Sequence, residues 1–319
     1  MATSKILVTG IAGFIGSNLG EHLIKIDAKI IGIDNFDPFY DRQVKENNLS
    51  ILNHSSNFIF FEGDICNAAF LNSILNNEKP DLVIHLASKA GVRPSILNPF
   101  EYYNTNVIGT LNLLEAMKTS GCKRLIFGSS SSIYGNNKKV PFSEEDNVDY
   151  PISPYAATKK AGELLCHNYH HHYGFDIFCL RFFTVYGQRQ RPDLAIHKFT
   201  KYIMEGKPLP FYGDGETERD YTYIDDIIHG IMRAVDKLNG FDIINLGESS
   251  TITLSKLVSV LETQIGKKAV LEKLPMQPGD VEKTYADISK AKRLIGYNPT
   301  FSFEDGITEF VKWFKFFNL

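Results

Sequence analysis

Short, unbroken apolar runs alternate with stretches of helical periodicity through the first half of the chain. The runs Lys5–Thr9, Lys29–Ile33, Phe58–Phe61, Leu82–Leu86, Arg124–Phe127 and Asp176–Phe183 have the length of strands. Between them, Phe14–Lys25, Asn104–Ser120 and Pro154–Tyr173 read as helices. Val107, Leu111, Leu114 and Met117 recur at helical spacing, and Ser153 with Pro154 offers an N-cap followed by a proline at the first helical position. Strands that are apolar throughout must be buried on both faces. The pattern therefore predicts a parallel sheet with helices on each side, a doubly wound α/β fold. Past Gly187 the rhythm loosens: residues 188–193 and 206–215 are rich in glycine, proline and charge, with helical pieces at Leu194–Glu205, Ile224–Lys237, Leu254–Gly266 and Phe303–Phe316. The predicted division is a first domain over residues 1–187 and a smaller C-terminal portion over 188–319 that can return to the first sheet.

Composition narrows the functional classes. With 319 residues, 43% of them apolar and 22% charged, the chain is an ordinary globular protein rather than a disordered or fibrous one. The 34 Lys and Arg against 37 Asp and Glu leave a net charge of -3, which offers no global field for a nucleic acid. Any phosphate must be held locally. Cys66, Cys122, Cys166 and Cys179 show no metal-ligand spacing and read as buried free thiols of a reducing compartment. The opening residues Met1 to Ile11 carry one lysine and run straight into a glycine turn, unlike a signal peptide, and no apolar stretch reaches the roughly 20 residues of a membrane span. The expectation is a cytoplasmic protein with no membrane or nucleic-acid partner. His170, His171 and His172 do not read as a metal site, because consecutive helical residues point about 100° apart.

The first run leads into Gly10-Ile-Ala-Gly13-Phe-Ile-Gly16, a strand, a tight turn and the start of a helix. Glycines there let the backbone approach a pyrophosphate, whose charge meets the positive end of the helix. The second strand ends in Asp34, 18 residues beyond Gly16, where a carboxylate accepts a ribose 2'-hydroxyl and repels a 2'-phosphate. This reading favours NAD over NADP and makes residues 1–187 a Rossmann-like domain. Asp64, at the end of the third strand, reads either as a contact to the adenine amino group or as a cap of the following helix.

Tyr155 and Lys159 stand four apart near the start of a helix and so share one face. Tyrosine is a poor base at neutral pH, but nearby positive charge, from Lys159 and a nicotinamide ring, favours its phenolate. The fifth strand leads into Ser129-Ser-Ser-Ser132. In a doubly wound sheet the carboxyl ends of strands face the ligand, so these hydroxyls can hold an alcohol against the phenolate; they read equally as a solvated loop.

In this order the motifs resemble the extended short-chain dehydrogenase/reductase family of nucleotide-sugar epimerases and dehydratases, over essentially the whole chain. They are the glycine turn, Gly63-Asp64-Ile65, His85-Leu86-Ala87-Ser88, Asn106, the serine-rich strand end with Ile133-Tyr134-Gly135, Tyr155xxxLys159 and Arg219-Asp220-Tyr221. Within the family the chain is most similar to UDP-glucuronate 4-epimerases, through Ala90-Gly-Val-Arg93, Ser129-Ser-Ser-Ser-Ile-Tyr-Gly135, Arg181-Phe-Phe-Thr-Val-Tyr-Gly187, Arg191-Pro-Asp193 and Gln277-Pro-Gly-Asp-Val281. Gly10-Ile-Ala-Gly13 and Ser88-Lys89-Ala90 depart from that pattern. The resemblance implies 4-epimerisation of a UDP-sugar by transient C4 oxidation, with Tyr155 as base, Lys159 as its partner and Ser130 as the hydroxyl on the reacting oxygen. It implies NAD contacts from Gly10, Gly13, Phe14, Ile15, Gly16, Asp34, Asn35, Asp64, Ile65, Leu86, Ala87, Ser88 and Asn106, besides Tyr155 and Lys159. It implies substrate contacts from Arg93, Ser131, Ser132, Thr184, Arg191, Arg219 and Asp280, and a homodimer formed through the helices near Asn104–Ser120 and Pro154–Tyr173. Thr184 stands where UDP-galactose-type epimerases usually carry Asn. Dehydratases of the family carry an acidic pair where this chain has Ser131 and Ser132.

The remaining candidates have plainer readings. His85, inside an apolar strand, reads as a hydrogen-bonded core residue. The run Phe310, Trp313, Phe314, Phe316 and Phe317 reads as the packing face of a terminal helix. Arg93, Arg191 and Arg219 are the cations suited to a pyrophosphate, each reading otherwise as a surface charge.

Overall fold

The computed structural model describes residues 5–275 and 283–318. Seven parallel strands form one sheet: β1 (Lys5–Thr9), β2 (Lys29–Asp34), β3 (Phe58–Glu62), β4 (Leu82–His85), β5 (Arg124–Ser130), β6 (Asp176–Phe182) and β7 (Phe241–Leu246). Their order across the sheet is β7-β6-β5-β4-β1-β2-β3, so the winding reverses between β1 and β4. Alternate residues face opposite sides. Ile6, Val8, Ile30 and Ile84 enter one apolar cluster, and Leu7, Ile31, Val83 and Leu125 the other. The first cluster continues without a break through Ile196, Leu209, Ile224 and Phe310, so the C-terminal portion packs directly on one face of the sheet.

Several elements differ from the sequence expectation. β5 runs past its apolar stretch to Ser130, because Gly128, Ser129 and Ser130 still pair with Leu180, Arg181 and Phe182. β7 is the return of the C-terminal portion to the first sheet; its position was not marked in the sequence, because Asp242 and Asn245 interrupt its apolar run, yet it pairs with β6 along its whole length. The expected helix Asn104–Ser120 is a π-turn, Asn104–Ile108, leading into the α-helix Gly109–Ser120. The N-cap behaves as read: Ser153 Oγ accepts Ala156 N–H at 3.1 Å at the head of the Pro154–Tyr173 helix.

The C-terminal portion is assembled from short pairings between distant segments. Thr184–Tyr186 lies parallel to Tyr221–Tyr223, Pro208–Tyr212 parallel to Val270–Leu274, and Glu218–Arg219 antiparallel to Ile252–Thr253. Asp220 joins them: its buried carboxylate accepts N–H groups of Glu248 (2.7 Å), Ser249 (3.0 Å) and Ala286 (3.1 Å). In the C-terminal helix Phe303–Asn318, Phe310 and Phe314 are buried and Trp313 is partly buried, while Phe316 and Phe317 face solvent, so the packing face is narrower than expected. His170 Nδ1 lies 2.7 Å from Phe175 O, and His171 and His172 are exposed. Among the described residues no helix is long and apolar enough to cross a membrane.

Candidate active site

A cavity of about 1070 Å³ runs along the carboxyl ends of the strands, from the glycine turn across the β1/β4 switch point to the C-terminal portion. At one end the turn is closed so tightly that only backbone fits. Gly10 has φ +73°, and a Cβ on Gly16 would lie 2.1 Å from Gly10 O. No side chain caps the Phe14–Lys25 helix, so its opening N–H groups, at Phe14, Ile15 and Gly16 on the wall, remain available to an anion. This cradle, which any Cβ would fill, fits the pyrophosphate of a dinucleotide.

Asp34 and Asn35 line the same end. Asp34 Oδ2 accepts Ala12 N–H at 3.0 Å and Oδ1 accepts Phe36 N–H at 2.9 Å. Burial raises its pKa above the usual carboxylate range against the pull of these bonds and of Lys45. Ile65 is on the wall, but Asp64 beside it is not. Asp64 accepts Cys66 N–H at 2.7 Å and Asn35 Nδ2 at 2.9 Å; burial opposes ionisation, but these bonds outweigh it and hold the carboxyl low. Nor is it the helix cap, which is Asn67, accepting Phe70 N–H at 3.1 Å.

Leu86, Ala87 and Ser88 line the cavity behind the turn, set by a chain of hydrogen bonds through His85. Thr110 Oγ1 donates to Asn106 O at 2.7 Å, so it accepts from His85 Nε2 at 3.0 Å; His85 Nδ1 then accepts from Thr9 Oγ1 at 2.7 Å, which itself accepts Ala87 N–H at 3.2 Å. Burial lowers the His85 pKa to about 3, so the ring is neutral and belongs to the core, as its sequence suggests. Asn106 does not reach the cavity wall. Its Oδ1 accepts Ser88 Oγ and Lys89 N–H, and its Nδ2 donates to Lys89 O and Thr158 Oγ1, so every side-chain valence is used inside the protein. The sequence placed Asn106 on the cofactor; the π-turn instead points it at the 88–90 loop.

At the centre, Ser130 at the end of β5 and Ser131 and Ser132 of the 3-10 turn that follows share the cavity wall with Tyr155 and Lys159. The serine-rich stretch is thus a wall rather than a solvated loop. Ser130 Oγ lies 2.9 Å from Ser132 Oγ, and the ring of Tyr155 meets Tyr102 edge-on. Lys159 Nζ donates to Gly128 O at 2.7 Å. Burial lowers its pKa to about 8, with Glu163 and Cys166 opposing. Burial raises the Tyr155 pKa above the usual value, while the Ser130 hydroxyl and the Arg191 charge lower it. Lys159 Nζ lies 6.0 Å from the Tyr155 ring centre.

At the far end, Arg93, Thr184, Arg191 and Arg219 line the cavity. Arg191 pairs with Asp193 at 2.9 Å and stacks over Phe39, and Arg93 lies 5.9 Å from the Tyr212 ring centre. Asp280 lies outside the described residues. Two features escaped the sequence reading. Lys89 bridges Asp37 (2.9 Å) and Glu101 (2.6 Å), all three on the cavity wall. Glu163, one turn beyond Lys159, holds Ser129 and Arg181 in the interior. The four-residue spacing from Lys159 was the available signal for Glu163.

The strand order, the glycine cradle at the switch point and the serine, tyrosine and lysine converging at β5 define a Rossmann-like dinucleotide enzyme of the short-chain dehydrogenase/reductase class. A family profile described as GDP-mannose 4,6 dehydratase matches residues 7–310, and the chain belongs to that family. It is similar to the UDP-glucuronate 4-epimerase of Thermodesulfobacterium geofontis, at 48% identity over 310 residues covering 97% of this chain and 95% of that one. It is similar in structure to the Bacillus cereus UDP-glucuronic acid 4-epimerase solved with UDP-glucuronic acid and NAD, with TM-score 0.91, 41% identity and coverage of 98% and 99%. The Thermotoga maritima UDP-glucose 4-epimerase solved with UDP-glucose gives TM-score 0.90, 33% identity and 98% coverage of both chains.

Proposed function

We propose that this chain is an NAD-dependent UDP-sugar 4-epimerase whose substrate pair is UDP-glucuronate and UDP-galacturonate. The observation that carries this reading is the placement of Ser130, Tyr155 and Lys159 in one cavity with the glycine cradle. Residues 1–187 hold the cofactor through Gly10, Gly13, Gly16, Asp34 and the 86–88 segment, and residues 188–319 mainly the UDP-sugar. Bound NAD supplies the acceptor and then the donor of the C4 hydride, on one face of the sugar and then the other, so no net oxidation results. Tyr155 takes the proton of the 4-hydroxyl and later returns it. Ser130 hydrogen-bonds the same oxygen and fixes its direction. Lys159 supplies positive charge below the phenol and a donor toward the nicotinamide ribose. The cofactor's own positive charge acts in the same direction as Arg191, lowering the Tyr155 pKa that burial raises.

The family's name describes a dehydratase, but dehydration requires an acid to protonate the departing hydroxyl, and the wall beyond Ser130 carries Ser131 and Ser132. Serine cannot serve as that acid near neutral pH. Small hydroxyl donors, Ser131, Ser132 and Thr184, meet a C6 carboxylate without an ionic grip and can re-form their bonds after the 4-keto sugar turns over. Arg191, already paired with Asp193, adds charge without a dedicated clamp. Product NMR with UDP-glucuronate, UDP-glucose, UDP-N-acetylglucosamine and UDP-xylose tests the reading. The expected product is UDP-galacturonate with every atom retained; loss of water or carbon dioxide, or faster turnover of UDP-glucose, overturns it.

The enzyme acts as a cytoplasmic homodimer in this reading. Its four cysteines are all unpaired, and Leu164 is exposed on the Pro154–Tyr173 helix expected to meet a second copy, as are Leu97 and Phe100 on the short helices Val92–Leu97 and Pro99–Tyr103 that lead into the other one.

A further inference from the structure

Two consecutive residues at the end of β5 are each held by one side chain of the Pro154–Tyr173 helix, next to Ser130, which shares the cavity wall with Tyr155. Gly128 O accepts Lys159 Nζ at 2.7 Å, and Ser129 Oγ donates to Glu163 Oε1 at 2.6 Å. Tyr155, Lys159 and Glu163 stand four apart, one per turn, so a single face meets the strand end. Helix and strand can approach this closely because residue 162 is glycine: a Cβ there would lie 2.4 Å from the Phe127 ring.

Glu163 is not on the cavity wall, and its side chain is only 1% exposed. It is held from behind by Arg181, whose Nε and second terminal nitrogen donate to its two oxygens at 2.9 Å each. Arg181 also donates to Tyr134 Oη at 2.9 Å, and Tyr134 Oη donates to Asn245 Oδ1 at 2.7 Å. Asn245 Nδ2 donates to Phe142 O at 2.9 Å, and Phe142 is on the cavity wall. A buried ion pair carries a desolvation cost that an apolar pair of the same volume would avoid, so its stability alone does not explain it. What it does provide is a fixed anchor beneath the residue next to Ser130.

We propose that Glu163 is a positioning residue of the epimerisation reaction, keeping Ser130, Tyr155 and Lys159 in register by anchoring Ser129 to the catalytic helix. This rests on the 4-epimerase reading above. Glu163 is faced by Ser129 from β5, by Arg181 and Cys179 from β6, and by Lys159, Lys160 and Cys166 from its own helix. Lys159 is faced by Tyr155, Glu163 and Cys166 from its helix, by Gly128 O and the Phe127 ring from β5, and by His85 from β4. Glu163 is the carboxylate in this set, so it also supports the Lys159 charge that burial opposes.

Two variants separate the tie from the charge. Ser129→Ala cuts the tie and leaves both charges, whereas Glu163→Gln removes the charge. Each is expected to lower kcat on UDP-glucuronate about 10-fold or more at unchanged KM and NAD content, the loss that follows a small misplacement of reacting groups. In the double variant the losses should fall short of their product, because a hydroxyl donates more weakly to an amide oxygen than to a carboxylate, so Glu163→Gln already loosens the tie that Ser129→Ala removes. Only Glu163→Gln should move the alkaline limb of the kcat profile to lower pH, since Lys159 loses its neighbouring negative charge. If Glu163→Gln does not fold, Ser129→Ala still decides. Parental kcat in Ser129→Ala overturns the proposal, and so does a kcat loss that merely follows lost NAD or lost thermal stability. The parental chain is the control: absence of turnover on every UDP-sugar overturns the 4-epimerase reading itself and this proposal with it.

Discussion

The two sides of the cleft are built on different principles. The cofactor side stands on the ends of the parallel strands of one seven-stranded sheet, five of which have a neighbour on both sides. Its side chains are fixed by interior bonds, such as the His85 chain to Ala87 and the helix's grip on Gly128 and Ser129. The substrate side stands on two- to five-residue pairings between segments far apart in sequence, joined by the Asp220 carboxylate. A rigid side suits proton transfer, which tolerates little misplacement; a side made of short pieces suits a ligand that must turn over during the reaction.

The largest effect that would break this comparison comes from the rigid side. Tyr155→Phe removes the base and keeps the ring against Tyr102, so kcat should fall about 10²- to 10⁴-fold while NAD content and Tm stay at parental values. Steady-state kinetics with cofactor analysis checks it. Parental turnover would remove Tyr155 from the chemistry, and a matching loss of Tm would mean that the cofactor side is less rigid than its bonding indicates.

How far each side was legible follows from the same difference. Strand, turn and helix are local in the sequence, so Gly10, Gly13 and Gly16 announced the cradle and Ser153 the catalytic helix. The return of the C-terminal portion to the sheet was expected, but β7 was not placed, because Asp242 and Asn245 break its pattern, although Asn245 faces inward to bind Tyr134 Oη and Phe142 O. Asn106, named as a cofactor contact from the resemblance, stands in a π-turn and is bonded to the 88–90 loop. On the substrate side Arg93, Thr184, Arg191 and Arg219, named from the resemblance, do line the cavity, but the pairings that carry them were not legible: nothing in the sequence near Thr184 says that Tyr221 lies beside it.

Asp34 gives the next effect. Its carboxylate serves the fold and the cofactor together, since it accepts Ala12 and Phe36 N–H groups and also lines the cavity. Asp34→Ala should weaken NAD about 10²-fold and narrow the preference over NADP, because a hydrogen bond and a charge repulsion disappear together. Parallel binding titrations of the two cofactors test this. An equal loss for both would leave Asp34 with the loop alone and shift the ribose contact to a neighbour such as Asn35.

The smallest effect concerns two buried histidines, one on each side. His85 has both ring nitrogens bonded, whereas His197, on the Ala195–Glu205 helix, lies against Phe310, Trp313 and Phe314 of the C-terminal helix with its Nδ1 unpartnered among the described residues. Burial lowers the His197 pKa to about 4, with Lys201 assisting and Asp193 opposing. The folded value lies below the ordinary 6.5, so folding favours the neutral ring. The contribution is fully present above about pH 6.5 and is lost progressively as pH falls toward 4. At about pH 5.5 the loss from this one group is on the order of 1 kcal/mol, or about 1–2 °C in Tm for a chain of this size. His85 loses stability over the same window, since its value is lowered to about 3, so the parental melting curve alone cannot separate the two. His197→Phe does so: it keeps an aromatic ring between the two helices and removes the titration. Its Tm should fall less steeply than the parental Tm between about pH 7 and 5.5, with the difference concentrated in hydrogen exchange of the C-terminal helix. Parallel Tm curves would assign the acid sensitivity to His85 and the carboxylates, and would make the His197 contact one that tolerates a charged ring.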